Sequence, residues 1–301
     1  MSVFAAVVRQ EVKCARRERL AAALLVVFLG MTLASAAIGW TARHTVMNVY
    51  QETVVQMGRN VPDPFASTSP LDVIKNTVIY IVLIGALLAV VVGVQAGVRD
   101  RKAGVTDLIL SRPIGPRTYL TGKLLGAHGW IGIVLAVAAV ASWCSVWVIS
   151  KTPLTAASTA SLVGFFALAW VFLLPFSVAG LIAGSKSMHE STALLIPILL
   201  WVAITFVVPQ LGTAQNPTAL LNPVATSVTA TDLFFRVNQA VLQPISITEH
   251  FKHASGTLLQ LRDAGSAVAG GDLLTLGIAA ALSLAVLLVS SGRSTRRPID
   301  E

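Results

Sequence analysis

Six stretches of this chain are each apolar for roughly the 20 residues that a helix needs to cross the hydrocarbon of a bilayer. They are Leu20–Trp40, Asn76–Val98, Leu124–Ser150, Ser161–Gly184, Ser191–Val208 and Asp272–Ser291. A water-soluble fold has no place for them. Charged side chains make up 12% of the 301 residues and hydrophobic ones 55%, whereas a soluble domain is about a quarter charged. The windows lack the alternation of a barrel strand, so they read as helices whose backbone is satisfied internally. The predicted fold class is an all-α membrane protein, with one transmembrane domain over residues 1–301. Between the spans lie two long loops, 41–75 and 209–271.

The net charge of +8 raises nucleic acid as a partner, but a nucleic-acid site needs its basic face in water. Here the basic residues gather at the ends of apolar runs, which is how charge fixes membrane orientation. If the termini share one side, that side holds fifteen of the 22 Lys and Arg, and the other side holds seven spread over longer loops. The prediction is a multi-pass protein of the cell membrane with both termini cytoplasmic, the bilayer as a partner and no nucleic acid.

Ahead of the first window, Phe4, Val7, Val8, Val12 and Ala15 recur at helical spacing, with Arg9, Lys13, Arg16 and Arg17 elsewhere on the wheel. This predicts an interfacial amphipathic helix on the inner leaflet. In the second long loop, Leu233, Phe234, Val237 and Val241 share one helical face. The two cysteines, Cys14 and Cys144, stand in segments too different to suggest a disulfide.

The connector between the second and third windows is dense in charge, proline and glycine: GVRDRKAGVTDLILSRPIGPRTYLTGKLLG, Gly97 to Gly126. Pro113 and Pro116 stop a helix from running through it. Before them Val105, Leu108 and Ile109 fall at i, i+3 and i+4, which predicts a short amphipathic coupling helix outside the bilayer, between spans two and three. A short, stiff element braced between two membrane helices suits the transmission of motion from a soluble partner.

This connector resembles the coupling region of ABC-2-type transporter permeases. In that pattern an acidic residue ends the second span, followed by Gly-Thr, a Leu-rich turn, a proline turn with an Arg, and a Gly-Lys at the third span. Asp100 stands at the acidic position, Gly104 at the glycine, Leu108 to Leu110 at the turn, Pro113, Ile114 and Gly115 at the proline turn, and Gly122 with Lys123 at the Gly-Lys. Val105 replaces the usual Thr, and Pro116 the usual Arg, with Arg117 one position late. Within the family the chain is most similar to small six-span permeases of the nitrous oxide reductase maturation type. The resemblance implies a non-catalytic membrane subunit, a homodimer or heterodimer of permeases, that moves a substrate, usually outward. It also implies ATP bound and hydrolysed by a separate ABC ATPase subunit, with no cofactor on this chain.

The sequence agrees that the chain is not itself the ATPase. A phosphate loop needs four residues between Gly and Gly-Lys-Ser/Thr, whereas six separate Gly115 from Gly122, and Leu124 follows Lys123. The coupling candidates are therefore Asp100, Gly104, Val105, Leu108, Ile109, Pro113, Arg117 and Lys123. Gly93 with Gly97, and Gly180 with Gly184, form GxxxG pairs that permit close helix contact, within one subunit or across a dimer. No metal ligand set or catalytic group emerges. His250 and His253 share a helical face but lack a third ligand, and His128, near the inner end of the third span, reads as a satisfied interfacial histidine. A stand-alone secondary transporter or channel, or a scaffold presenting its outer loops to an extracytoplasmic partner, are the other readings the sequence allows.

Overall fold

The computed structural model describes residues 3–57, 65, 68–102, 115–151, 153–187, 189–212, 232–261, 268 and 270–294, and every regular element among them is helical. Helix α1 (Val3–Ala15) turns at residues 16–18 into α2 (Arg19–Met57). A 3-10 turn at Pro70–Ile74 leads into α3, built from Thr77–Tyr80, a π-helical turn at Ile81–Gly85, and Ala86–Lys102. Helices α4 (Pro116–Ser150) and α5 (Ala156–Lys186) follow. Next comes α6, built from Glu190–Val202, a π-helical turn at Ala203–Val207, and Val208–Gly212. Helices α7 (Leu233–Leu242), α8 (Ile247–Leu258) and α9 (Gly270–Ser294) complete the chain. Six helices (α2 to α6 and α9) are long and apolar enough to cross a membrane.

Helix ends follow local chemistry. Nothing in residues 41–57 breaks a helix, so α2 continues well past Trp40 to Met57 and removes that segment from the predicted loop. Pro116 sits in the first turn of α4 behind Gly115 at the cap, where its missing N–H costs nothing. The α5 cap is Thr155, whose side chain accepts from the Ser158 amide. Pro209 has no amide hydrogen to give the helix, and the π turn in α6 ends at Val207, two residues before it.

Two helices make the centre. Of the apolar window in α3, 78% is buried, and of that in α5, 61%, against a third or less in the other four. The central pair is α3 against α5, and glycine makes it possible. A Cβ on Gly97 would lie 2.6 Å from the Ser185 amide nitrogen, and one on Gly180 would stand 2.9 Å from the Val94 nitrogen. Gly93 meets the Ser177 carbonyl and Gly184 the Val94 carbonyl in the same way. The two GxxxG pairs thus pack on each other within one chain. The outer helices leave Val26, Val137, Leu199 and Val286 exposed, as a lipid-facing surface requires.

The segment read from sequence as a long loop carries a helix inserted into the bundle. Phe251 of α8 is fully buried, and its ring stacks on Phe172 with centroids 4.4 Å apart. Phe172 lies near the middle of α5, about 24 Å from the start of that helix at 1.5 Å per residue. The charges of α8 are matched. Lys252 donates to Glu249 at 3.0 Å, and His250 and His253 face the two oxygens of Asp272 at 2.7 and 2.5 Å. Thr248 donates to the Ile204 carbonyl in the π turn of α6. His128 is likewise a packing element. Its ring nitrogens meet Ser177 and the Trp170 carbonyl, while the Trp170 indole N–H donates to the His128 carbonyl at 3.1 Å.

Candidate functional site

The connector is held at its two ends by α3 and α4. Three consecutive residues at the end of α3 tie it to three neighbours. Arg99 donates to Glu11 of α1 at 2.5 Å and to Glu18, in the α1–α2 turn, at 3.2 Å. Asp100 accepts from the Lys123 ammonium at 2.6 Å and from the Tyr119 hydroxyl, both on α4. Arg101 donates to the Ser187 and Gly184 carbonyls, at the C-terminus of α5, where a cation also meets the negative end of the helix dipole.

The helical period explains why one aspartate meets two donors. Tyr119 and Lys123 are four residues apart, so they lie one turn above each other on the same face of α4. Glu11 closes the network, with its second oxygen 3.6 Å from Lys123. Lys123 is 2% exposed and Glu11 4%. Buried opposite charges add little net stability, but each holds the other in place, because leaving one unpaired costs about 3–5 kcal/mol. The arrangement fixes both stems of the connector against α1 and α5.

Of the residues the sequence singles out for coupling, Asp100 and Lys123 come together in one ion pair. Arg117 is exposed in the first turn of α4, apart from that pair. Gly104, Val105, Leu108, Ile109 and Pro113 lie outside the described residues. The sequence reasoning overlooked Glu11, Glu18, Arg99 and Tyr119. A signal for Glu11 was present, since it continues the stripe of Phe4, Val7, Val8 and Ala15, where an apolar residue is expected.

The sequence profile of the ABC-2 family transporter proteins matches residues 5–294. The chain belongs to that family. No curated protein matches it. The match runs through α1, all six long apolar helices and the inserted helix α8, and the chain is a transporter permease and a multi-pass membrane protein.

Elsewhere in this ABC-2 permease the described residues include no group of three or more His, Cys, Asp or Glu placed to hold a metal ion. His250 and His253 instead secure α8 to the start of α9. Cys14 and Cys144 are both free thiols. A small cavity of about 10 Å³ lies where Glu249 and Lys252 approach the π turn of α6 beside Thr205, whose buried hydroxyl has no protein partner. It has room for about one water.

Proposed function

We propose that this permease is the membrane subunit of an ATP-driven exporter, which pairs with a second permease and takes its energy from a separate ABC ATPase docked on the connector between α3 and α4. On this reading the connector and both termini are cytoplasmic, in the cell membrane, in keeping with the bias of basic residues. The observation that carries the proposal is the Arg99–Asp100–Arg101 anchor. A connector that transmits force needs stems that do not yield, and α3 and α4 are locked to each other through the half-buried Asp100 and the buried Lys123. Displacing such a connector tilts α3, and α3 is packed closely on α5 through the four glycines near its connector end.

The apolar face of Val105, Leu108 and Ile109 supplies the docking contact. Covering such side chains is worth roughly 1.5–3 kcal/mol each, so losing one or two detaches a partner held at micromolar affinity. The expected outcome is that Leu108→Asp abolishes co-purification of the ATPase in mild detergent while the permease still inserts and pairs. Retention of the ATPase at the wild-type ratio would refute the coupling assignment.

A further inference from the structure

Helix α1 separates its charges by sign. Its acidic residue Glu11 and the neighbouring Glu18 turn inward to Arg99. Arg9, Lys13, Arg16, Arg17 and Arg19 are all exposed. No ion pair among the described residues reaches any of these five. Arg9 and Lys13 lie one turn apart on one face of α1, and Arg17 follows in the turn after it. With Ala6, Gln10 and Cys14 they line a shallow groove of about 480 Å³.

The opposite face of α1 fixes where this groove lies. Val7 and Phe4 pack on Gly122, and Val8 and Glu11 on Gly126 of α4. Those glycines are about 9–15 Å along α4 from its start at Pro116. The groove therefore sits beside the first turns of α4, near the end of a helix long and apolar enough to cross a membrane.

We infer that the basic groove formed by Arg9 and Lys13 of α1 and Arg17 of the turn after it is a binding site for the phosphodiester headgroups of anionic phospholipids in the leaflet that faces the connector. This rests on the orientation given above, in which that leaflet is cytoplasmic. The headgroup chemistry does not depend on it. Arg and Lys suit the ligand, since both donate charge-assisted hydrogen bonds to phosphate oxygens, and basic clusters on amphipathic helices attract anionic lipid. Binding there would hold α1 against α4 and so support the Glu11–Lys123–Asp100 network from outside.

The test uses the full chain, purified in mild detergent and exchanged into micelles doped with equimolar phosphatidylglycerol and phosphatidylcholine. Bound lipid is then counted by mass spectrometry. Each basic residue near an anionic surface contributes roughly fivefold. Wild type should retain phosphatidylglycerol over phosphatidylcholine by about tenfold or more, and Arg9→Gln/Lys13→Gln/Arg17→Gln should fall to a ratio near one. A control at exposed basic residues of the opposite end, Lys151→Gln/Arg236→Gln, should keep the wild-type ratio. Raising salt from 50 to 500 mM should lower the wild-type preference, which keeps the test decisive if the triple variant fails to fold. No preference in wild type, an unchanged ratio in the triple variant, or insensitivity to salt would overturn the proposal. Loss of the ATPase from the triple variant with lipid unchanged would overturn it too, by making the groove a protein-docking face. The orientation is tested separately by thiol labelling, so failure of one reading leaves the other standing.

Discussion

Replacing Lys123 by Met removes one charge from the interior while nearly preserving the volume of its side chain. The ammonium is 2% exposed and stands 2.6 Å from Asp100 and 3.6 Å from Glu11. Stranding a buried partner costs about 3–5 kcal/mol. Two features place this case at the lower end. Tyr119 still donates to Asp100, and Arg99 still neutralises Glu11. About 3 kcal/mol is therefore expected, which corresponds to a fall of roughly 5 °C in apparent melting temperature for a chain of 301 residues. The sign of the second step is the sharper test. Asp100→Asn/Lys123→Met leaves no unpaired charge, so at least half of the lost stability should return. Tryptophan fluorescence during heating in detergent, at one fixed scan rate, measures both steps. If Lys123→Met melts within 2 °C of wild type, or the double variant melts no higher than the single, the network is not a buried anchor.

Other expectations follow from the packing. Gly93→Leu should prevent a stable bundle, because any Cβ there collides with the Ser177 backbone, whereas Gly30→Ala, with nothing within 4 Å, should be neutral or gain up to about 1 kcal/mol; thermal melts in detergent compare them. Phe251→Ala should cost about 3–5 kcal/mol, since the ring is fully buried against Phe172, and melting close to wild type would refute the insertion of α8. For topology, Val55→Cys, at an 82% exposed position, should react with an impermeant thiol reagent from outside sealed cells when Cys14 and Cys144 are absent. Arg16→Cys should not, and the reverse pattern would invert the orientation.

The apolar windows and the amphipathic N-terminus were legible in the sequence because they depend on local period and composition alone. A helix in lipid has to satisfy its own backbone, so about 20 apolar residues determine the element without reference to its neighbours. Asp100 and Lys123 were legible as candidates, since the acidic end of one span and the Gly-Lys of the next are local patterns. Their pairing was not, because nothing in one dimension says which faces of α3 and α4 meet.

Tertiary structure decided the rest. The two GxxxG pairs allow close approach anywhere, and only the packing of α3 on α5 placed them within one chain. Helix α8 escaped the hydropathy windows because Glu249, Lys252, His250 and His253 count as polar one by one. In the fold Lys252 meets Glu249 and the two imidazoles meet Asp272, which lies some twenty residues further along the chain. Glu11 looked like a flaw in an apolar stripe until Arg99 and Lys123 came to face it. In each case the sequence set the residue's own chemistry, while its cost or benefit depended on a partner that only folding brings near.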